Sequence, residues 1–214
     1  MDAEGWVLAG GRSVRMGRDK AGVVLAGRPL LEHMLGKLRA LGLGARVAGL
    51  REPVAHMSAD ALGDAHPDIH PDRGPLSGME TVLGRSEAAL VLVVGVDLPL
   101  LETEFLAWML RRAAVTEAVA TIPRLAGEPQ PLCAVYRREM VGAVTAALES
   151  GDYKVMSAVE RAAQAGRVDG FDAERVEATG AWCSTQPAHL QFMNCNTPGD
   201  VSLAERVLAR TSML

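Results

Sequence analysis

Trp6-Val7-Leu8-Ala9-Gly10-Gly11-Arg12-Ser13-Val14-Arg15-Met16-Gly17-Arg18-Asp19-Lys20 is the stretch that decides the fold. Its first four residues read as a buried strand. The eleven that follow hold four basic residues and one acid, a local excess of three positive charges in a chain whose net charge is -4. Glycines let successive backbone N–H groups curl toward one anion, and Lys or Arg adds charge that amides cannot supply. From Leu30 to Leu41, Leu, Met and Leu recur at helical spacing until Gly42 stops the run. Strand, basic glycine loop and helix make the first unit of an open α/β sheet, with a polyphosphate expected at the loop. The spacing excludes two familiar phosphate loops, since neither G-x-x-x-x-G-K-[ST] nor G-x-G-x-x-G fits.

Working outward, Val47 to Leu50 reads as a second short strand. Ala89 to Val96 is apolar on both faces, as a central parallel strand covered by helices should be, and Asp97 stands at its C-terminal end. Ligands of open α/β sheets bind beyond the carboxyl ends of the strands. Asp97 and the Gly10 to Lys20 loop are therefore expected to face one space. Further along, Glu102 to Ala113 and Arg137 to Leu148 read as helices, and Ala118 to Ile122 and Leu132 to Tyr136 as extended. Pro198 to Ala209 opens on a helix-start signal. Alternating short β-rich runs and longer amphipathic stretches predict stacked βαβ units around a mostly parallel sheet. No repeat or linker divides residues 1–214.

Composition narrows the function. With 49% hydrophobic residues the chain can bury the core of one α/β domain. The negative net charge argues against a general nucleic-acid binder, because such binding rests on Lys and Arg neutralising phosphates. The acidic Met1-Asp2-Ala3-Glu4 start and the lack of a following apolar leader predict a cytoplasmic protein. Ala88 to Val96, the longest apolar or glycine run, is too short to cross a bilayer, so no membrane partner is expected. Cys133, Cys183 and Cys195 lack C-x-x-C spacing and read as reduced thiols. A metal cluster of these with His189 is not expected.

Several polar residues admit two readings. Asp97, between an apolar strand and Pro99, is a metal ligand, or else the N-cap of the next helix. Asp72 precedes Arg73-Gly74-Pro75 and is a nucleotide contact or a turn residue ahead of a helix. Asn194 and Asn196 alternate, so in an extended segment both amides share a face with Cys195 on the other. Asn196-Thr197-Pro198 is equally a helix start with Pro at its first position. Lys154, together with Arg124 and Arg137, offers cations for a second phosphate.

The string Leu8-Ala9-Gly10-Gly11-Arg12-Ser13-x-Arg15-Met16-Gly17-x-Asp19-Lys20 resembles the signature of the MobA-like nucleotidyltransferases. Further pieces of the pattern follow in order: Gly27-Arg28-Pro29-Leu30-Leu31-Glu32-His33, Asp72-x-Gly74-Pro75-Leu76-x-Gly78, Asp97-x-Pro99, Pro131-Leu132 and Asn194-x-Asn196-Thr197-Pro198-x-Asp200. The branch most resembled is the molybdenum cofactor guanylyltransferases. The resemblance implies a Rossmann-like three-layer sandwich in which residues 1–100 serve the nucleotide and 101–214 the acceptor. It implies transfer of GMP from GTP to the terminal phosphate of molybdopterin, with Mg²⁺ as cofactor and molybdenum cofactor biosynthesis proteins as partners. Lys20, Asp97 and Arg15 are then the candidate catalytic residues, with the metal on Asp97. The nucleotide would meet Leu8, Ala9, Gly10, Gly11, Lys20, Asp72, Gly78 and Asp97, and the acceptor Asn194, Asn196 and Lys154. A cytidylyl or sugar-phosphate transferase, or an inactive nucleotide-binding module, is the alternative. The chain departs from the pattern in having no Asn near Ala48-Gly49 and in carrying extra residues from Gly180 to Gln191.

Overall fold

The computed structural model describes residues 1–10, 19–50, 54, 55, 57, 64–164 and 166–211. In chain order, β1 (Ala3–Leu8) is followed by a small hairpin of β2 (Val24–Leu25) and β3 (Arg28–Pro29), then by α1 (Leu30–Ala40) and β4 (Gly44–Ala48). Next come β5 (Ala65–His66), α2 (Pro75–Arg85), β6 (Leu90–Gly95) and α3 (Thr103–Val115). The chain continues through β7 (Ala120–Leu125), β8 (Glu128–Pro129), β9 (Cys133–Arg137), α4 (Val141–Glu149) and α5 (Val155–Ala163). It ends with β10 (Val168–Asp172), α6 (Ala173–Glu177), α7 (Ala188–Gln191) and α8 (Pro198–Thr211).

The main sheet has the order β10-β7-β9-β6-β1-β4-β5, with β8 paired to β7. β1 lies parallel between β4 and β6. Alternate β1 residues face opposite layers, as the period of a strand requires. Val7 joins one apolar layer with Leu31, Met34 and Leu38 of α1 and Phe105, Leu106 and Met109 of α3. Trp6 and Leu8 join the other with Leu76, Met79 and Leu83 of α2 and residues of α4 and α5. The result is the expected three-layer, mostly parallel sandwich, and the two halves of the chain share one sheet.

The differences from the sequence expectation include two boundaries and one strand direction. The second strand spans Gly44–Ala48 rather than 47–50, because Gly49 at φ +77° turns the chain out of the sheet. β9 runs antiparallel to β6 and β7. Too few residues separate β7 from β9 for the helical crossover that a parallel return needs, and Ala126 and Gly127, at φ 49° and 85°, turn the chain straight back. Arg137 belongs to β9 rather than to the next helix. Its guanidinium donates to the carbonyls of Ala118, Ala113 and Thr116 at 3.0, 3.3 and 2.7 Å, closing the end of α3 at the amino edge of the sheet. That position removes Arg137 from any phosphate site.

Candidate active site

The chain leaves β1 on one side through β4 and β5 and returns on the other through β6, so the strand order reverses at β1. A crevice opens at such a switch point, beyond the carboxyl ends. Ala9 N–H donates to Ala48 O at 2.9 Å and Val96 N–H to Leu8 O at 3.1 Å. These bonds bring Gly10, Gly49 and Asp97 out of the sheet side by side.

Asp97 is held over the end of its own strand. A Cβ on Gly95 would stand 2.9 Å from Asp97 Oδ1, so the missing side chain makes room for the carboxylate. Asp97 Oδ2 lies 2.7 Å from Lys20 Nζ, and both side chains are about four-fifths buried, at 18% and 20% exposure, which limits screening by water. Lys20 begins a single 3-10 turn, Lys20–Gly22, whose cap is Asp19 accepting from Ala21 N–H at 3.0 Å. The Lys20 ammonium also donates to Asn196 Oδ1. Cys195 N–H donates to Asp97 O at 2.9 Å, tying the C-terminal segment to the strand end. Three sequence-distant candidates thus form one cluster. Asp97 is not a helix cap, since the N-cap of α3 is Glu102, five residues later.

The residues after Asp97 are braced by the extra segment. Glu102 accepts from Ser184 Oγ at 2.8 Å and from Thr185 N–H at 2.8 Å. Gln186 Nε2 donates to Leu100 O at 2.6 Å. Trp182 packs its ring 5.0 Å from Phe105 and 5.3 Å from Trp108. Gly180 to Gln191, whose role the sequence left open, is a buttress behind the Asp97 segment.

Beside Gly10 the structure brings in a carboxylate that the sequence reading missed. A Cβ on Gly10 would stand 3.5 Å from Asp68 Oδ2, one on Gly49 2.9 Å from Asp68 Oδ1, and one on Gly78 3.6 Å from the same oxygen. Asp68 follows β5 as Asp97 follows β6, at the carboxyl edge. The signal was its place just beyond a strand, but a two-residue strand leaves no pattern to read. Asp72 lies further along, at φ 65° in the turn before α2, whose N-cap is Gly74.

The remaining candidates are placed as follows. Leu8 and Ala9 are buried at the end of β1. Asn194 is exposed, Cys195 buried and Asn196 half-buried, the alternation the sequence predicts. Lys154 is the exposed N-cap residue of α5, with its N–H bonded to Asp152 Oδ1 at 3.2 Å. The neighbouring Tyr153 O would lie 3.8 Å from a Cβ on Gly74, and Arg73 stacks over the Tyr153 ring at 5.9 Å. Lys154 therefore follows a residue that packs beside the start of α2. Gly11 and Arg15 lie outside the described residues.

Cys133 and Cys195 are buried and Cys183 is exposed, with no disulfide among them. Burial pushes the Cys195 thiol up to about 12 and raises that of Cys133 as well. Among the described residues no three His, Cys, Asp or Glu side chains gather in a metal cage. None is needed for Mg²⁺, which is commonly bound by one or two carboxylates, phosphate oxygens and water. The Asp97 carboxylate already holds a cation, the Lys20 ammonium, so its oxygens fit that chemistry.

Known proteins resemble this chain in sequence and in fold. Residues 5–166 match the model of the MobA-like NTP transferase domain. A molybdenum cofactor guanylyltransferase of Xanthomonas euvesicatoria is 34% identical over 199 residues, 91% of this chain and 89% of that protein. One of Pelotomaculum thermopropionicum, described as probable, is 28% identical over 99% of this chain and 96% of its own. Molybdopterin-guanine dinucleotide biosynthesis protein A of Archaeoglobus fulgidus superposes with a TM-score of 0.77 at 24% identity, covering 97% of this chain and 99% of that one. With a family match over three-quarters of its length and relatives along nearly all of it, the chain belongs to the MobA-like NTP transferases.

Proposed function

We propose that this chain transfers GMP from GTP to the terminal phosphate of molybdopterin, giving molybdopterin guanine dinucleotide and pyrophosphate. The observation that carries the reading is the convergence of Lys20, Asp97 and Asn196 at the switch point, where Asp68 also comes up against Gly10, Gly49 and Gly78. Relatives over most of the chain bear the guanylyltransferase name.

An oxygen of the acceptor phosphate attacks the α-phosphorus in line; the new P–O bond forms as the bond to the β-phosphate oxygen breaks, and pyrophosphate leaves with that electron pair. The attacker is already an anion, so no general base is required. The obstacle is repulsion between negative partners, and catalysis is positioning and charge neutralisation. Lys20 supplies a cation to the triphosphate. The nucleoside is assigned to the side of Gly10, Gly49 and Gly78, next to Asp68, where the missing side chains let a ligand approach the backbone closely. Asp97 would hold Mg²⁺, which supplies charge neutralisation on the phosphate oxygens. Lys154 and Asn194, both exposed, are left for the acceptor. This reaction would make proteins of molybdenum cofactor biosynthesis its exchange partners, in the cytoplasm.

Pyrophosphate release is assayed with each NTP, with and without molybdopterin, and with EDTA followed by Mg²⁺. Acceptor-dependent release with GTP alone, lost with chelator and restored by Mg²⁺, is the expected result. Preference for CTP, dependence on a sugar phosphate, or no turnover with any NTP would overturn the reading.

A further inference from the structure

Asn196 stands directly before α8, and a reciprocal cap fixes it there. Asp200 N–H donates to Thr197 Oγ1 at 3.2 Å, while Asp200 Oδ2 accepts from Thr197 N–H at 2.7 Å and from Asn196 N–H at 2.9 Å. This is a capping box with Asp at the third helical position, where Glu or Gln is usual. Burial pulls the Asp200 carboxyl upward, but the bonds from Thr197 and Asn196 outweigh it and hold the group below the ordinary carboxylate range. On the other side, Cys195 N–H is bonded to Asp97 O at 2.9 Å, and Cys195 is fully buried. The backbone of Asn196 is thus pinned at 195, 196 and 197, and its side-chain carbonyl oxygen is delivered to Lys20 Nζ.

Lysine is a point charge on a flexible four-carbon stem, and one acceptor would let it swing with the Asp97 carboxylate. A second acceptor from a separate, rigidly capped segment fixes the ammonium. We propose that Asn196 is a positioning residue for Lys20, aimed by the Asp200–Thr197 cap, so that the C-terminal helix acts on nucleotide binding through the lysine rather than on the acceptor. The inference deepens the nucleotidyl-transfer reading and rests on it.

The test is titration of GTP in the absence of acceptor, with steady-state KM for both substrates, in Asn196→Ala, Lys20→Ala, the double variant, Asp200→Ala and Asp200→Glu. Asn196→Ala is expected to weaken GTP binding by roughly tenfold, the scale of one hydrogen bond to a charged group, with acceptor KM unchanged. The double variant binds no more weakly than Lys20→Ala, since Asn196 acts through the lysine. Asp200→Ala moves in the same direction with helix content intact by circular dichroism, and Asp200→Glu, which retains the box, restores affinity. Should Asp200→Ala fail to fold, the Asn196 and Lys20 cycle still decides. A raised acceptor KM with GTP affinity untouched, or losses that multiply in the double variant, would overturn the proposal. If wild type uses another NTP, the guanylyl reading falls, and the same cycle run with that NTP decides this one.

Discussion

The Lys20 ammonium and the Asp97 carboxylate meet at 2.7 Å across 77 positions of sequence. One sits on a capped single turn after the basic loop and the other at the end of the central strand β6, so their distance measures how well the two halves of the crevice are assembled. In the proposed transfer, each has a separate task toward the nucleotide.

Asp97→Asn keeps an oxygen that can accept from Lys20 but removes the charge. The fold should survive, with an unchanged circular dichroism spectrum, while turnover falls by roughly a hundredfold or more, the scale of losing a main electrostatic stabiliser. Near-normal turnover would remove the metal from Asp97.

Gly49 and Gly10 are adjacent across the crevice but should respond differently to alanine. At φ +77°, with a new Cβ 2.9 Å from Asp68 Oδ1 and 3.0 Å from Gly10 N, Gly49→Ala is strained in backbone and in space. It should cost about 1–3 kcal/mol of stability and displace Asp68, seen as a lower Tm and weaker GTP binding. An unchanged Tm would contradict this packing.

Gly10→Ala would meet Gly49 O at 3.4 Å and Asp68 Oδ2 at 3.5 Å, ordinary contacts that the fold can absorb. The added methyl narrows the space by Asp68 where the base is expected. The ratio of kcat/KM for GTP to that for CTP should fall by an amount equivalent to about 1–3 kcal/mol, as for one misfitting group in a pocket. A fixed ratio would exclude Gly10 from base selection.

Arg137→Met removes the donor to one carbonyl in the last turn of α3 and to two just beyond it. Leaving those groups short of a partner should cost about 1–3 kcal/mol, read as a lower denaturation midpoint. The KM for molybdopterin should not change, because Arg137 lies at the amino edge of the sheet; a raised KM would place it near the acceptor after all.

Thiol reactivity gives an independent check on the packing. Burial keeps Cys195 protonated, with its thiol at about 12, and Cys133 likewise, whereas Cys183 is exposed. At mildly alkaline pH iodoacetamide should add once to the native chain and three times after denaturation, by intact mass. Fast modification of Cys195 would show that the segment bonded to Asp97 opens readily.

The sequence by itself determined the layers of this protein. Leu31, Met34 and Leu38 recur at helical spacing and Ala89 to Val96 is apolar throughout, and such periodicities are local statements about which face must leave water. The same locality made Lys20 and Asp97 legible, because strand ends in an open α/β sheet are where polar residues face a ligand. The direction of β9 was decided by the number of residues available to return from β7, which no residue type announces. Gly49 ended β4 early through its positive φ, a conformation fixed by the surrounding fold. Asp68 escaped notice because β5 is two residues long and exists only by pairing with β4. Arg137 resembled any surface cation until the last turn of α3 and the residues just beyond it presented their carbonyls. The partnership of Asn196 with Lys20 was likewise decided by tertiary structure: spacing set which face its amide shared, but only the capping box of α8 and the bond from Cys195 to Asp97 determined what that face would meet.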